Sequence, residues 1–125
     1  MATGLVDSSV LVDVLRGYPA GAAWLERQNT LGVPRAALLE LIEGTSDKRG
    51  YRAVLKLVGQ LEMIETTESD LIWATDMLSL YRHSHNVDSF DCVIAASAVR
   101  LNIPIFTRNL KHFSILAGHL VIAPY

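Results

Sequence analysis

Short apolar segments that favour β-strands alternate with longer segments that favour α-helices along the whole chain. This alternation is typical of a mainly parallel sheet, because parallel strands need helical crossovers, which then cover both faces of the sheet. We therefore predict a three-layer α/β/α fold whose mainly parallel central sheet has about four or five strands. The predicted strands cover residues 3–7, 29–34, 63–66, 103–107 and 120–122.

Helix-start and helix-stop residues place the predicted helices between those strands. Thr67 and Asp70 nearly have the spacing of a capping box, and Pro104 separates the helix that ends near Asn102 from the next strand. The predicted helices cover residues 8–16, 20–28, 35–44, 47–61, 67–83 and 89–102, with a helical turn at 110–116. Right-handed crossovers bring the carboxyl ends of the strands to one edge of the sheet, where ligands bind in such folds.

Length and composition fit one ordinary globular domain that covers residues 1–125. Half of the residues are hydrophobic and the net charge is −2, which neither requires nor excludes a nucleic-acid partner. Cys92 is the only cysteine, so an internal disulfide and a multi-cysteine zinc site are excluded, and a reducing, cytoplasmic location is expected. We expect no signal peptide and no membrane contact, because no apolar stretch approaches the ~20 residues that span a bilayer.

Asp7 ends the first predicted strand and so places a carboxylate at the carboxyl edge of the sheet. One interpretation makes it the N-cap of the following helix, a position that aspartate favours. The other makes it part of a functional site, and the local sequence leaves both open.

Glu40 lies on an otherwise apolar helix, on the same stripe as Ala36, Ala37 and Gly44. An unpaired carboxylate in a buried stripe costs several kcal/mol or is forced to stay protonated. Glu40 is therefore either a charge at the edge of the face that reaches water or a member of a site, whereas Glu43 is expected to face solvent.

Asp88 and Asp91 open a long apolar helix. They could form a simple capping pair, with Asp88 as the N-cap and Asp91 in the first turn, where the helix dipole favours negative charge. We favour a division of roles in which Asp88 caps the helix and Asp91 points into a pocket with Asp7 and Glu40.

In the predicted fold these three acids, Asp7, Glu40 and Asp91, could converge on one edge of the sheet. Converging carboxylates repel one another and cannot all stay ionised without compensation. Mg²⁺ and Mn²⁺, which prefer oxygen ligands, supply that compensation and suit phosphoryl chemistry. The pattern therefore favours a divalent-cation site.

Four segments of the chain occur in the order and spacing of a known family. They cover residues 5–11 (LVDSSVL), 39–44 (LELIEG), 91–98 (DCVIAASA) and 106–113 (FTRNLKHF). Through them the chain, over nearly its whole length, resembles the PIN-domain ribonucleases, and most closely the VapC toxins of prokaryotic toxin–antitoxin pairs.

That resemblance implies an endoribonuclease that depends on Mg²⁺ or Mn²⁺ and cleaves RNA, with Asp7, Glu40 and Asp91 as the metal-binding acids. It also implies a homodimer that a VapB-type antitoxin holds inactive. Many relatives carry a fourth acid near the Thr-Arg-Asn element, where this chain has His112 and the neutral Asn109. Asn109 is retained as a candidate catalytic residue, because its carbonyl could hold a metal directly or through a water.

Four further residues, Ser9, Thr107, Arg108 and His112, are candidates for substrate positioning. Ser9 and Thr107 could hydrogen-bond the acids or the attacking water, or could serve only turn and capping chemistry. Arg108 could hold RNA, and His112 could orient a water or contact a phosphate.

Two other functions are weighed against the nuclease. The missing fourth acid motivates a catalytically weak or inactive PIN-like module that binds RNA or a partner helix. An aspartyl-phosphate phosphatase would need a second aspartate two residues after Asp7, where Ser9 stands. A dimer face could come from Val10, Leu11 and Val14.

Overall fold

Five parallel strands form a single sheet, as the alternation of the sequence predicts. The computed structural model describes all residues from 1 to 125. The strands are β1 (Gly4–Val6), β2 (Leu31–Pro34), β3 (Glu62–Ile64), β4 (Ile105–Phe106) and β5 (Val121–Ile122). Their order across the sheet is β3-β2-β1-β4-β5, so the direction of chain progression reverses at β1. Such a reversal opens a crevice beyond the carboxyl ends of β1 and β4.

Seven α-helices surround the sheet and complete the predicted α/β/α architecture. They are α1 (Ser8–Leu15), α2 (Pro19–Glu26), α3 (Arg35–Glu43), α4 (Lys48–Val58), α5 (Glu68–His85), α6 (Ser89–Leu101) and α7 (Leu110–Ala117). A short 3-10 helix (Gly118–Leu120) leads into β5. None of the helices combines the length and the apolar character that crossing a membrane requires.

The helix ends follow the local chemistry of the sequence, with small departures from the predicted bounds. The predicted capping box is present at the start of α5, where Thr67 and Asp70 each accept a hydrogen bond from the other's backbone N–H. That helix ends two residues later than predicted, where Asn86 adopts a left-handed conformation with φ 56°. Helix α4 instead ends three residues early, with Gly59 as its C-cap.

The core lies around β1 and the buried faces of α1, α3 and α6. Leu5 and Val6 of β1 are completely buried. Val10 and Leu11 of α1 are also completely buried, so the expectation that they form a dimer face is wrong. They turn inward because they lie on the side of α1 that packs against the sheet, with only Val14 of that set partly exposed.

Helices α5 and α6 are tied together by an ion pair at the edge of the core. The Arg100 guanidinium donates to both carboxylate oxygens of Asp70, from Nε at 2.9 Å and from Nη2 at 3.1 Å. The Asp70 side chain is only 2% exposed. This pair fixes the N-terminal part of α5 against the C-terminal end of α6, and so helps to orient the helix that carries Asp91.

Candidate active site

Asp7 lies immediately after β1, at the crevice where the strand order reverses. Its backbone N–H donates to the Phe106 carbonyl of β4 at 3.0 Å, which extends the pairing of the two strands. By backbone conformation Asp7 is the N-cap of α1, yet its side chain makes no capping hydrogen bond. Its Oδ2 instead accepts hydrogen bonds from the Ser9 hydroxyl and the Thr107 hydroxyl, each at 2.8 Å. The carboxylate is therefore held towards the crevice, and the site interpretation is the one that its contacts support.

Ser9 and Thr107 hold this carboxylate in a fixed orientation. Each hydroxyl donates to Asp7 and accepts one backbone N–H: Ser9 from Arg108 at 3.0 Å, and Thr107 from Asn109 at 2.9 Å. Because a hydroxyl has a single proton to donate, neither group keeps one for a water molecule. Both hydroxyls therefore hold the Asp7 carboxylate in orientation, and each keeps a further acceptor lone pair.

Glu40 lies on α3 and is linked to Asp7 through Ser8. The Ser8 hydroxyl donates to Oε1 of Glu40 at 3.0 Å and lies 3.4 Å from Oδ1 of Asp7. Burial raises the pKa of Glu40 to about 7, and the charges of Asp7, Asp88 and Asp91 add to this effect, although the Ser8 hydrogen bond opposes it. Near neutral pH Glu40 is thus divided between its protonated and ionised forms. Glu43 is exposed, as predicted.

Asp91 takes part in capping its own helix and also contacts a side chain of another helix. It completes a capping box with Asp88, whose side chain accepts the Asp91 backbone N–H at 2.8 Å. The Oδ2 atom of Asp91 also lies 2.9 Å from Nδ1 of His112 on α7. Burial and the Asp88 charge raise the pKa of Asp91 to about 6, despite hydrogen bonds from the Asp88 backbone and from His112.

Asn109 and His112 complete the edge from the start of α7. Asn109 occupies the N-cap position without a side-chain capping bond, and its Nδ2 lies 3.1 Å from Nδ1 of His112. When His112 carries a proton on Nδ1 it donates to Asp91 and cannot also accept from Asn109. His112 is thus a direct partner of Asp91.

The three acids share an edge and interact electrostatically, since the charges of Asp7 and Asp91 both raise the pKa of Glu40. Carboxylate oxygens of this kind are the donors that Mg²⁺ and Mn²⁺ prefer, so the donor set fits the implied ion in type. As the side chains stand, no three acidic, histidine or cysteine residues form a group that could hold a metal ion.

Two contacts at this edge were not foreseen from the sequence. In the sequence Ser8 looks like an ordinary first-turn residue after Asp7. In the structure its hydroxyl links Asp7 and Glu40. Arg108 is predicted to hold RNA, and the sequence does not indicate that its guanidinium also donates to Asp13 on α1 at 3.2 Å. No local sequence signal connects residues that lie so far apart in the chain.

Comparison with known proteins places this geometry in a family. The family model described as "PIN domain" matches residues 4–118. The chain belongs to the PIN-domain family. The matched region includes every element of the edge, from β1, which precedes Asp7, to α7, which carries His112.

Curated relatives and solved structures agree with this assignment. This PIN-domain chain is 35% identical to Ribonuclease VapC10 of Mycobacterium tuberculosis over 115 residues, which covers 87% of this chain and 84% of the relative. It is 29% identical to Ribonuclease VapC19 of the same organism, over 87% of this chain and 90% of the relative. Its fold matches that of the DNA-bound VapBC of Salmonella typhimurium with a TM-score of 0.84, at 20% identity and with full coverage of both chains. The Mycobacterium tuberculosis toxin VapC20, described as cleaving the Sarcin-Ricin loop, matches with a TM-score of 0.71 at 14% identity, over 85% of this chain and 89% of that one.

Proposed function

We propose that this PIN-domain protein is a VapC-type toxin, a metal-dependent endoribonuclease that hydrolyses RNA phosphodiester bonds. The observation that carries the proposal is the shared acidic edge of Asp7, Glu40 and Asp91 at the reversal point of the sheet. The 35% identity to a protein named Ribonuclease VapC10 supports the same activity. An acidic edge would repel RNA unless a cation were bound there, which agrees with metal dependence.

The proposed metal ligands are the same three acids, and the ion is Mg²⁺ or Mn²⁺. A bound divalent ion would neutralise charge on the phosphate and favour the attack of water on it. Ser9 and Thr107 keep the Asp7 carboxylate aimed at the crevice. Burial raises the pKa of Glu40 to about 7 in the metal-free protein, so a bound cation would favour its ionised form.

The proposed partners are a VapB-type antitoxin and a second copy of the chain, in the cytoplasm. The support is that structures of similar fold are described as VapBC complexes, among them that of Salmonella typhimurium. We expect the antitoxin to block cleavage when the two proteins are mixed. Size-exclusion chromatography with light scattering, with and without a candidate VapB-type antitoxin, tests both assemblies.

The decisive experiment is cleavage of single-stranded RNA by the purified protein with Mg²⁺ or Mn²⁺. Wild type should cleave, chelation of the metal should stop cleavage, and Asp7→Asn should lose activity while the fold is retained. Asp76→Asn is the matched control, because Asp76 is an exposed aspartate on α5. Equal cleavage by wild type and Asp7→Asn would refute the proposal.

A second candidate is an inactive PIN-like module that binds RNA or a partner. Two observations favour it: no three side chains form a ready metal-binding group, and His112 stands where many relatives have an acid. Calorimetry decides between the two functions. The inactive module predicts no Mn²⁺ binding together with retained RNA or partner binding, whereas the nuclease predicts Mn²⁺ binding that Asp91→Asn weakens.

A further inference from the structure

An aromatic and cationic cluster lies beside the acidic edge, and the proposed cleavage chemistry does not use it. This Arg108 cluster consists of Asp13, Tyr18, Arg108 and Tyr125. The guanidinium carbon of Arg108 lies 4.7 Å from the centroid of the Tyr125 ring and 5.8 Å from that of Tyr18. The two ring centroids are 5.8 Å apart with 42° between their planes. Three planar groups are thus gathered at one place on the surface.

The charge of Arg108 is already compensated within the cluster. Oδ2 of Asp13 accepts from Nη1 of Arg108 at 3.2 Å and from the Tyr125 hydroxyl at 2.6 Å. A guanidinium with its own carboxylate partner is a weak phosphate anchor, because the net charge presented to a phosphate is near zero. The Arg108 side chain is nevertheless 41% exposed, and stacking depends on planarity and needs no net charge.

The cluster is attached directly to the acidic edge. The backbone N–H of Arg108 donates to the Ser9 hydroxyl at 3.0 Å, and that hydroxyl donates to Asp7 at 2.8 Å. The Asp7 carboxylate is therefore two hydrogen bonds away from the backbone that carries the guanidinium. A nucleic acid whose phosphate reached Asp7 would have its neighbouring nucleotide within reach of this cluster.

The cluster is rigid on its inner side and open on its outer side. Tyr125 packs against Trp24, with ring centroids 6.4 Å apart, and a Cβ atom at Gly21 would lie only 3.0 Å from the Tyr125 hydroxyl. In contrast, Tyr18 is 46% exposed and the Arg108 side chain is 41% exposed. Fixed, exposed planar groups lose little conformational entropy when an aromatic ligand stacks on them.

We propose that the Arg108 cluster is a base-stacking subsite, which binds a nucleobase next to the scissile phosphate of the RNA. The proposal rests on the proposed ribonuclease function and deepens it by assigning a place for a flanking base. Aromatic side chains and guanidinium planes are the usual stacking partners of unpaired RNA bases. The cluster selects single-stranded RNA, because a base inside a duplex cannot expose its face to Tyr18.

The test is the binding of a single-stranded RNA oligonucleotide to the full chain, measured by fluorescence anisotropy with Ca²⁺, which prefers the same oxygen ligands, in place of Mg²⁺ or Mn²⁺. A set of matched oligonucleotides carries one abasic site at each position in turn. Tyr18→Leu should weaken binding of the intact oligonucleotide about tenfold, in the range that loss of one stacked base produces. An abasic site at one position of the oligonucleotide should weaken binding to the wild-type protein by the same factor. The same abasic site should not weaken binding to the Tyr18→Leu variant any further.

Matched variants separate stacking from a structural role. Tyr18→Phe keeps the ring and should bind like wild type. Tyr51→Ala is the control for a tyrosine beside a cation elsewhere, since the Lys48 ammonium lies 5.9 Å from the Tyr51 ring centroid. Unchanged binding by Tyr18→Leu would overturn the proposal, and so would a loss that is equal for every abasic oligonucleotide.

Asp13→Asn tests the charge argument independently. Removal of the carboxylate leaves Arg108 as an uncompensated cation on the proposed RNA path. Affinity at low salt should rise, and the slope of log K against log salt should steepen by about 0.7, the value for one phosphate contact on a single strand. An unchanged slope would mean that RNA does not pass the cluster, and would overturn the proposal.

Failure of the subsite and failure of the nuclease are distinguishable. If cleavage depends on Asp7 but Tyr18→Leu does not change RNA binding, the subsite proposal alone is refuted. If the wild-type protein neither binds nor cleaves any of the oligonucleotides, the proposed ribonuclease function is refuted as well.

Discussion

The imidazole of His112 and the carboxylate of Asp91 are in direct contact, with 2.9 Å between Nδ1 and Oδ2. The contact joins the start of α7 to the first turn of α6. It therefore connects an acid of the candidate site to a side chain of the helix that follows β4.

Loss of this contact should make Asp91 a weaker acid. The His112 hydrogen bond lowers the pKa of Asp91, which burial and Asp88 raise to about 6. His112→Ala should therefore move that pKa above 6 and shift the acidic limb of any cleavage profile to higher pH. NMR titration of the Asp91 carboxyl carbon measures the change. His119→Ala is the control, because His119 is exposed, and a pKa that falls or stays constant in His112→Ala would contradict the prediction.

The metal-free protein should lose stability as the pH rises towards neutrality. Ordinary pKa values of 4.5 and 3.8 become about 7 for Glu40 and about 6 for Asp91 in the fold. Between about pH 4 and pH 7 the folded protein thus binds more protons than the unfolded chain, and the free energy of unfolding falls with increasing pH. Glu40→Gln should raise the denaturation midpoint at pH 7 and flatten this dependence.

Chemical denaturation from pH 4.5 to 7.5 checks this expectation. Glu43→Gln is the matched control, since Glu43 is exposed on the same helix. Added Mg²⁺ should stabilise wild type more than Glu40→Gln. If the Glu40→Gln variant is less stable than wild type at pH 7, the ionised Glu40 carboxylate does not destabilise the fold, and the prediction is wrong.

The Thr107 hydroxyl should matter to both stability and activity. It is completely buried, donates to Asp7 and accepts the Asn109 N–H. Thr107→Val keeps the shape but leaves that N–H without its partner, which should cost about 2 kcal/mol of unfolding free energy. The same change should lower cleavage, because Asp7 loses one of its two orienting donors.

Thr107→Ser provides the comparison, since it keeps the hydroxyl. We expect it to retain cleavage and to lose less than about 1 kcal/mol, because only a methyl group is removed. Denaturation curves and cleavage rates measured on both variants check this. Full activity in Thr107→Val would show that Ser9 alone orients the carboxylate.

The Arg100–Asp70 ion pair should be a main contributor to the attachment of α5 to α6. Burial alone would raise the pKa of Asp70, but hydrogen bonds from Arg100 and Thr67 outweigh it and hold the pKa below the usual range. Arg100→Ala leaves a buried carboxylate unpaired and should cost about 3 kcal/mol. Thermal and denaturant unfolding at pH 7 measure the loss, with the exposed Arg49→Ala as the control. A loss below about 0.5 kcal/mol would contradict the prediction.

Lowering the pH should weaken the Arg100–Asp70 ion pair. A carboxyl group whose pKa is depressed by folding stabilises the protein above its ordinary pKa and loses that effect as the pH falls through the folded value. The difference in stability between wild type and Arg100→Ala should therefore narrow below about pH 4.

The fold could be predicted from the sequence because hydrophobic periodicity and helix caps are local signals. Alternating segments gave the parallel sheet, and Thr67 with Asp70 marked the start of α5. The bounds of β4 were less accurate: the strand covers only Ile105–Phe106, because Pro104 has no N–H to donate and contributes only its carbonyl, to Leu5 at 2.8 Å.

The positions of Asp7 and Asp91 in the fold were predictable from the sequence, whereas their side-chain contacts were not. Asp7 follows a predicted strand and Asp91 opens a predicted helix, so both were expected at the carboxyl edge of the sheet. Chain direction determines which end of each strand lies at that edge. The partner choices of Ser8, His112 and Arg108 depend on side chains that meet across long sequence separations. No local pattern specifies such contacts, so the sequence placed Arg108 near RNA without revealing its pairing with Asp13.

The position of β1 in the middle of the sheet has a consequence for the order of events during translation. Asp7 leaves the ribosome 100 residues before Thr107, whose hydroxyl orients it. A nascent chain that is still shorter than this lacks the β4 pairing and cannot assemble the acidic edge. The acidic edge can therefore form only after Thr107 has left the ribosome, and stalled chains of increasing length should gain cleavage only beyond that point.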